Sequence, residues 1–398
     1  MSEAAHAAMA RRNPLSRLWN DKESRQVIIQ IISFVLIFAF FFMMVRNAVI
    51  NLEAIGKDIS LKFLWQPSSY DINQSLIEYS SRSSHFRAMI VGILNTLLVA
   101  VFGIALATIL GFLLGISRLS KNWIINKMAY VYIEYVRNVP VLLHILLVHG
   151  MIINLLPLPR ASLTIGDGAF LNNRGFFVPK PDFEPLFLAV AALFLGGVAF
   201  AFWFRKYARM VQDQSGKHYP VFWICLAAVA GVPLLAYFVL GAPITWEIPE
   251  LQGFNYKGGM VLRPEFIALW LALSIYTAAF IGEIVRAGIS AVDWGQNEAA
   301  SALGITRGRT LHLVVIPQAL RIIVPPLTSQ YLNLTKNSSL AIAIGYMDIV
   351  ATIGGISLNQ TGREMECMAL VLALYLVFSL LISAFMNWYN RRIKLVER

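Results

Sequence analysis

The sequence predicts an all-α, polytopic membrane protein with about eight transmembrane helices. Two compositional observations lead to this fold class: 58% of the residues are hydrophobic and only 14% are charged. A soluble domain usually carries about a quarter charged residues, so soluble globular domains and disordered chains are excluded. The third observation is that the apolar residues are gathered in eight runs, each long enough to cross a hydrocarbon core of about 30 Å.

The eight runs are separated by polar segments that are predicted to be loops. They cover residues 27–45, 89–116, 128–156, 186–204, 221–240, 266–289, 322–344 and 368–388. The first run follows a basic stretch and lacks a small-residue cleavage site, so it is predicted to be a retained helix rather than a signal peptide. The seventh is interrupted by Gln330, Asn333, Lys336 and Asn337.

The charge balance is strongly basic, with 33 Lys and Arg against 22 Asp and Glu. Nucleic-acid binding is one explanation of such a balance, but in a membrane protein the excess is expected in cytoplasmic loops. If both termini are cytoplasmic, the cytoplasmic loops contain nearly twice as many Lys and Arg residues as the periplasmic loops. We therefore expect that orientation and no nucleic-acid partner. Cys225 and Cys367 have no metal-ligand spacing and are predicted to be free thiols.

The longest predicted cytoplasmic loop, residues 291–320, contains a distinctive spacing of small, acidic and apolar residues. Its members are Glu298, Ala299, Ala300, Gly304, Ile316 and Pro317. Good helix formers precede Gly304, where a glycine ends the helix, and Thr306 is predicted to cap a second short helix that ends near Pro317. One interpretation is an amphipathic helical hairpin that lies on the membrane without a partner.

The other interpretation rests on a resemblance to the EAA loop of ABC importer permeases, which docks into a groove on the ATPase. Further motifs resemble the polar amino-acid, HisMQ-type family of these permeases: YTAAFIGEIVR at 276–286, YVRNVP at 135–140, NTL at 95–97, PPLT at 325–328 and KNSSL at 336–340. The runs FLNNRG at 170–175 and MNWYNR at 386–391 resemble the Q-type permease of the Aap/Bzt general L-amino-acid importers.

The resemblance implies a five-helix ABC importer core of type I, built from the second, third, sixth, seventh and eighth runs. Residues 1–87 would form the cytoplasmic N-terminus, the first transmembrane helix and a periplasmic loop polar enough to be solvated. Residues 88–157 would form the first two core helices, and residues 158–262 an insertion with two extra transmembrane helices. Residues 263–398 would form the last three core helices, with the coupling loop among them.

The resemblance also implies a function, which is that of a permease subunit in an ATP-driven importer of L-amino acids that works by alternating access. The implied partners are a homologous second permease, two ABC ATPases, a periplasmic amino-acid-binding protein and the lipid of a bacterial inner membrane. ATP and Mg would be bound by the ATPases, and no cofactor by this chain, which has no GxxxxGK[ST] motif. The alternative is a secondary transporter or channel driven by an ion gradient, which would leave the EAA loop unexplained and would be expected to show internal repeats.

Polar residues within the apolar runs are the candidates for the translocation path, because an unpaired charge is costly in lipid. They are Asn333, Lys336, Asn337, Ser338, Ser339, Glu283, Arg286, Glu134, Arg137 and His144. The two Glu–Arg pairs are three residues apart, so they could instead neutralise each other and hold the bundle together. Lys336 has no acid three or four residues away. Either it lies near the path, or it makes a structural tie, in which its ammonium group binds a carboxylate or a carbonyl.

His144 stands where the family often has glutamine. Imidazole can donate, accept and titrate, but a hydrogen bond between helices is the favoured interpretation. His149 follows five residues later, so the two rings are offset on a helix and no metal pair is expected.

Overall fold

The computed structural model of the protein describes residues 21–54 and 58–393, which fall into two compact units divided after Gln66. In the first unit, helix α1 (Lys22–Ala54) contains the first apolar run, and a short 3₁₀ turn follows at Lys62–Trp65. Large apolar side chains along α1, such as Phe34 and Phe38, are more than 60% exposed. This exposure is expected of a helix whose solvent is lipid.

The second unit contains the remaining helices. They are α2 (His85–Arg118), α3 (Trp123–Asn138), α4 (Val141–Leu155), α5 (Phe187–Ser215), α6 (Val221–Leu226), α7 (Val232–Val239), α8 (Pro264–Ser290), α9 (Trp294–Ala302), α10 (Arg307–Thr310), α11 (Ile316–Asn337), α12 (Leu358–Thr361) and α13 (Glu364–Ile393). Within the described ranges, seven helical segments are long and apolar enough to cross a membrane, or eight if α3 and α4 form one broken span. The predicted all-α polytopic class is therefore confirmed.

The third apolar run is not the single straight helix that its length predicted. Helices α3 and α4 meet at a bend of 105°. Pro140 lacks the N–H that would continue the helix, and it forces Val139 into an extended conformation with φ −106° and ψ 132°. Residues 128–156 therefore form two helical arms, and the polar end of α3 lies at the corner between them.

The second helix of the predicted coupling loop does not end near Pro317. Helix α10 continues through a π-helical turn at Leu311–Val315 into α11, and the helical segment runs without a break from Gly308 to Ile344. Pro317 lies in the first turn of α11, where a proline ring needs no hydrogen-bond partner for its nitrogen. The loop is thus joined to a core helix by continuous helical backbone.

Residues 158–262 contain two helical arms and also eight short strands that the sequence analysis did not predict. The strands are β1 (Leu163–Ile165), β2 (Ala169–Asn172), β3 (Gly175–Val178), β4 (Lys180–Phe183), β5 (Ile244–Glu247), β6 (Glu250–Gln252), β7 (Asn255–Lys257) and β8 (Met260–Leu262). The largest sheet is antiparallel in the order β1-β2-β3-β8, with Phe177 opposite Val261. The sheet therefore joins the two ends of the insertion, while α5 packs against α6 through Ala201, Phe204 and Cys225.

The segment that begins at Pro67 is largely exposed but contains two buried apolar side chains. Tyr70 and Ile72 are each 9% exposed, and the Tyr70 hydroxyl lies 3.1 Å from the Ser357 hydroxyl. These two apolar side chains pack near the connector between α11 and α13. The polar side chains on which the predicted solvated loop rests are exposed: Asp71, Asn73 and Glu78.

The core of the second unit is the crossing of α2 and α8, whose facing surfaces carry small residues. Leu269, Leu273 and Ile281 of α8 are fully buried there. A Cβ atom added at Gly115 would lie 2.6 Å from the Cβ of Val285 and 2.7 Å from the carbonyl oxygen of Gly282. Small residues let two helix backbones approach closely, which is the usual basis of helix association in membranes.

We expect Gly115→Ala to destabilise the purified protein by about 1–3 kcal/mol, the typical cost of overpacking a close contact. Gly150→Ala is the matched control, because nothing lies within 4 Å of a Cβ built at that helical glycine of α4. Alanine is the better helix former, so the control should be neutral or slightly stabilising. Thermal unfolding in detergent would measure both variants, and equal melting temperatures would contradict the close contact.

Candidate coupling loop and translocation path

The coupling loop contains the glycine corner that the sequence predicted. Helix α9 is capped by Asp293, whose carboxylate accepts a hydrogen bond from the Gly295 N–H at 2.7 Å, and the helix ends at Ala302. Gly304 then adopts φ +71°, in the left-handed region. The Ile305 N–H donates to the Ala300 carbonyl at 3.0 Å, which closes the helix end in the manner of a Schellman turn.

The residues of the predicted motif divide between the surface and the interior. Glu298, Ala299 and Gly304 are exposed, whereas Ala300 is buried, and Ile316 and Pro317 are half-buried at the start of α11. Beside them, Trp294 and Leu303 are 72% and 78% exposed. The exposed surface of the loop is therefore both polar and apolar.

The loop borders an apolar groove of about 880 Å³. Phe112 and Ile116 of α2, Trp294 of α9 and Leu311 and Ile323 of the α10–α11 segment are among its lining residues. The loop is also tied to α11, because the Gln318 side chain donates to the Gln296 side chain at 3.1 Å. This hydrogen bond links α9 to a core helix.

Glu283 and Arg286 form the predicted ion pair on α8. The Arg286 Nε atom lies 3.0 Å from both carboxylate oxygens of Glu283. Arg118 and Arg137 also lie close enough to act electrostatically on Glu283. This pair is compensated within the helix, so the interpretation as a mutual neutralisation is supported here.

Glu134 and Arg137 do not form the corresponding pair on α3 in the described part of the chain. The Arg137 guanidinium instead lies over the Phe280 ring of α8, 5.4 Å from its centroid. The prediction of a neutralising pair is therefore wrong at this position. Arg137 is in the last turn of α3, and its guanidinium contacts the neighbouring helix α8.

His144 is buried, with 7% of its surface exposed, but it does not make the predicted hydrogen bond between helices. Its Nδ1 atom lies 3.2 Å from the Pro140 carbonyl, within the same broken segment. The rings of Tyr135 and Tyr276 pack edge-on against it, with centroids 6.2 Å and 5.8 Å away. The Nε2 atom is buried and has no hydrogen-bond partner among the described residues.

The polar end of α11 presents two of its side chains outwards. Asn333 and Lys336 are exposed, Asn337 and Ser339 are half-buried, and Ser338 is fully buried. The Ser339 hydroxyl donates to the Lys336 carbonyl at 2.8 Å. Within the described residues, no salt bridge or hydrogen bond involves the Lys336 ammonium group, so the structural tie to a carboxylate or carbonyl does not form inside this chain.

Sequence reasoning missed a polar cluster behind this end of α11. Asp348 is fully buried, and its carboxylate lies 3.1 Å from the Tyr375 hydroxyl. Nearby, the Asn95 side chain of the NTL motif donates to the carbonyl oxygens of Gln74 and Met347, both at 2.9 Å. The available sequence signal is an acid in an otherwise apolar stretch, but Asp348 falls between the predicted spans 322–344 and 368–388.

Comparison with known proteins finds a matching family model and several relatives of this chain. The family model described as "binding-protein-dependent transport system inner membrane component" matches residues 218–395. The chain is 47% identical to the general L-amino acid transport system permease protein AapQ of Rhizobium johnstonii, over 95% of this chain and 94% of that protein. It is 44% identical to the putative amino-acid ABC transporter permease protein YhdX of Escherichia coli, over 97% and 96%. It is 45% identical to the glutamate/glutamine/aspartate/asparagine transport system permease protein BztB of Rhodobacter capsulatus, over 96% and 97%.

Proposed function

We propose a function from the premise that the chain belongs to the family of inner-membrane permease components of binding-protein-dependent amino-acid transport systems. Such a component is a multi-pass, non-enzymatic transport subunit of an ABC importer. Our proposal adds the finer roles: the protein carries L-amino acids across a bacterial inner membrane by alternating access. ATP hydrolysis on separate subunits would reach it through the coupling loop.

The single observation that carries this proposal is the exposure of polar side chains on helices that cross the membrane. Asn333, Lys336 and Arg137 are all exposed on membrane-spanning segments of this chain. Polar groups at that depth do not face lipid, so they face another protein or a water-filled path. A homologous second permease, lying against these helices, would cover them and enclose a path between the two chains.

The candidate path consists of the polar residues that the two permeases would enclose. We assign to it Asn333, Lys336, Asn337, Ser338, Ser339, Glu283, Arg286, Glu134, Arg137 and His144. Amide and hydroxyl groups suit the constant part of an amino acid, and Lys336 offers a cation for its carboxylate. The unpartnered Nε2 atom of His144 is an acceptor when Nδ1 donates to Pro140.

The coupling residues would transmit the closure of two ABC ATPases, which would bind ATP and Mg; this chain would bind no cofactor and no nucleic acid. The proposed contacts are Glu298, Ala299, Ala300, Gly304, Ile316 and Pro317. The exposed Trp294 and Leu303 add apolar area to that surface. With both termini cytoplasmic, the strands of the insertion lie on the periplasmic side, where an amino-acid-binding protein would deliver the substrate.

A vesicle assay would separate this function from transport driven by an ion gradient. We expect uptake of L-amino acids into vesicles that contain the full complex to require ATP on the ATPase side and to persist when an uncoupler is added. The reason is that hydrolysis, and not a gradient, would supply the energy. Vesicles with a Walker-motif variant of the ATPase provide the control. Uptake that continues without the ATPase and stops with the uncoupler would support a secondary transporter instead.

A further inference from the structure

Asp348 is an acid buried without a counter-charge. It lies in the connector between α11 and α12, and none of its surface is exposed. In the described part of the chain, Glu366 is the other buried acid, and it has the Arg363 guanidinium 3.2 Å away. No described cation contacts Asp348 in the same way. A buried carboxylate with no cation is costly when it is ionised.

The carboxyl group of Asp348 belongs to a series of hydrogen-bonded groups that ends at the candidate path. One oxygen accepts from the Ala351 N–H at 2.9 Å, and the other lies 3.1 Å from the Tyr375 hydroxyl of α13. The Tyr375 hydroxyl lies 3.4 Å from the hydroxyl of Ser338. Ser338 in turn donates to the Thr335 carbonyl at 2.8 Å. Hydrogen bonds therefore link the connector, α13 and the end of α11.

The number of protons available to these hydrogen-bonded groups depends on whether Asp348 is protonated. Ser338 has one hydroxyl proton, which it gives to Thr335. If Asp348 is ionised, Tyr375 gives its only proton to the carboxylate, and no proton remains for the contact between Tyr375 and Ser338. If Asp348 is protonated, its own proton goes to Tyr375, and the Tyr375 proton is then free to reach Ser338.

We propose that Asp348 is a positioning residue that titrates. Its protonation completes the series of hydrogen bonds from Asp348 to Ser338 and so fixes the polar end of α11 for substrate. Its effect on transport rests on the proposed function, whereas its titration does not. Asp348 does not touch the path itself. It acts through Tyr375 and Ser338.

The electrostatic surroundings place this titration in an accessible range. Burial raises the pKa of the Asp348 carboxyl to about 6. The titratable groups that act on it are the phenols of Tyr346, in its own connector, and Tyr375 of α13. The Tyr346 hydroxyl donates to the Asn95 carbonyl of α2 at 3.0 Å and is therefore occupied elsewhere. The protonated form is present below about pH 6 and is lost as the pH rises through that value.

Infrared difference spectroscopy of the purified protein tests the titration without any transport. We expect the carbonyl band of a protonated carboxylic acid to appear as the pH falls through about 6, and to be absent in Asp348→Asn. Glu366→Gln is the matched control: it removes the other buried acid of the described residues, leaves Asp348 unchanged and should therefore keep the band. Absence of the band, or its survival in Asp348→Asn, would overturn the proposal.

Uptake by the full complex tests the positioning role. With an amino acid whose side chain does not titrate, we expect the wild-type KM to rise about three- to tenfold as the pH rises through 6, the effect of one hydrogen bond. The maximal rate per intact complex should change less. Asp348→Asn can donate at every pH and should keep the low KM, whereas Tyr375→Phe should show the high KM at every pH. A wild-type pH profile in either variant would overturn the proposal. Failure of the wild-type complex to transport amino acids with ATP would instead reject the proposed function and leave the spectroscopic result intact.

Discussion

Gly304→Val should abolish amino-acid uptake while leaving the protein in the membrane. Gly304 has φ +71°, and a left-handed backbone costs an ordinary L-residue about 1–2 kcal/mol, with more for a β-branched one. Nothing lies within 4 Å of a Cβ built at this position, so the effect comes from the backbone alone. The corner between α9 and α10 would open, and the surface that includes Glu298 would no longer fit the proposed ATPase partner.

Gly304→Asn is the matched control for this variant, because asparagine tolerates the left-handed region much better than valine does. It should retain most of the uptake. Copurification of the ATPase and ATP hydrolysis stimulated by the binding protein would measure coupling separately from membrane insertion. If Gly304→Val keeps both at the wild-type level, the assignment of this loop as the coupling element is wrong.

Lys336→Met should slow the uptake of acidic, neutral and basic amino acids together, by about ten- to a hundredfold. The magnitude follows from the loss of one hydrogen bond to a charged group, about 1.5–3 kcal/mol. The common effect is expected because every substrate has the same carboxylate, whatever its side chain. Initial rates in vesicles, normalised to the amount of intact complex, would measure it.

Two controls accompany this variant. Lys336→Arg keeps the cation and should retain part of the uptake. Lys257→Met removes an exposed lysine from β7, away from the candidate path, and should have no effect. A defect confined to one class of amino acids would show that Lys336 selects a side chain rather than holding the carboxylate. Normal uptake in an intact Lys336→Met complex would remove the residue from the path.

The sequence by itself determined the membrane-spanning elements and the corner of the coupling loop. Long apolar runs must be helical in lipid, because every backbone N–H and C=O needs a partner that lipid does not supply. The corner at Gly304 was equally predictable, since a glycine directly after good helix formers marks a left-handed helix end. Both predictions depend on residues that are neighbours in the chain. Both agree with the structure except at the third apolar run, which is divided into two helices at Pro140.

The tertiary structure alone decided which side chains are partners. Among the described residues Glu283 and Arg286 pair, but Glu134 and Arg137, with the same spacing, do not, and the Arg137 guanidinium lies over the Phe280 ring of another helix. The short strands of the insertion pair across two transmembrane helices, and strands of three or four residues show too little alternation to be predicted. Asn95 reaches Met347 across 252 positions of sequence, next to the buried Asp348. Contacts of this kind are set by how the helices pack, and no pattern of neighbouring residues contains that information.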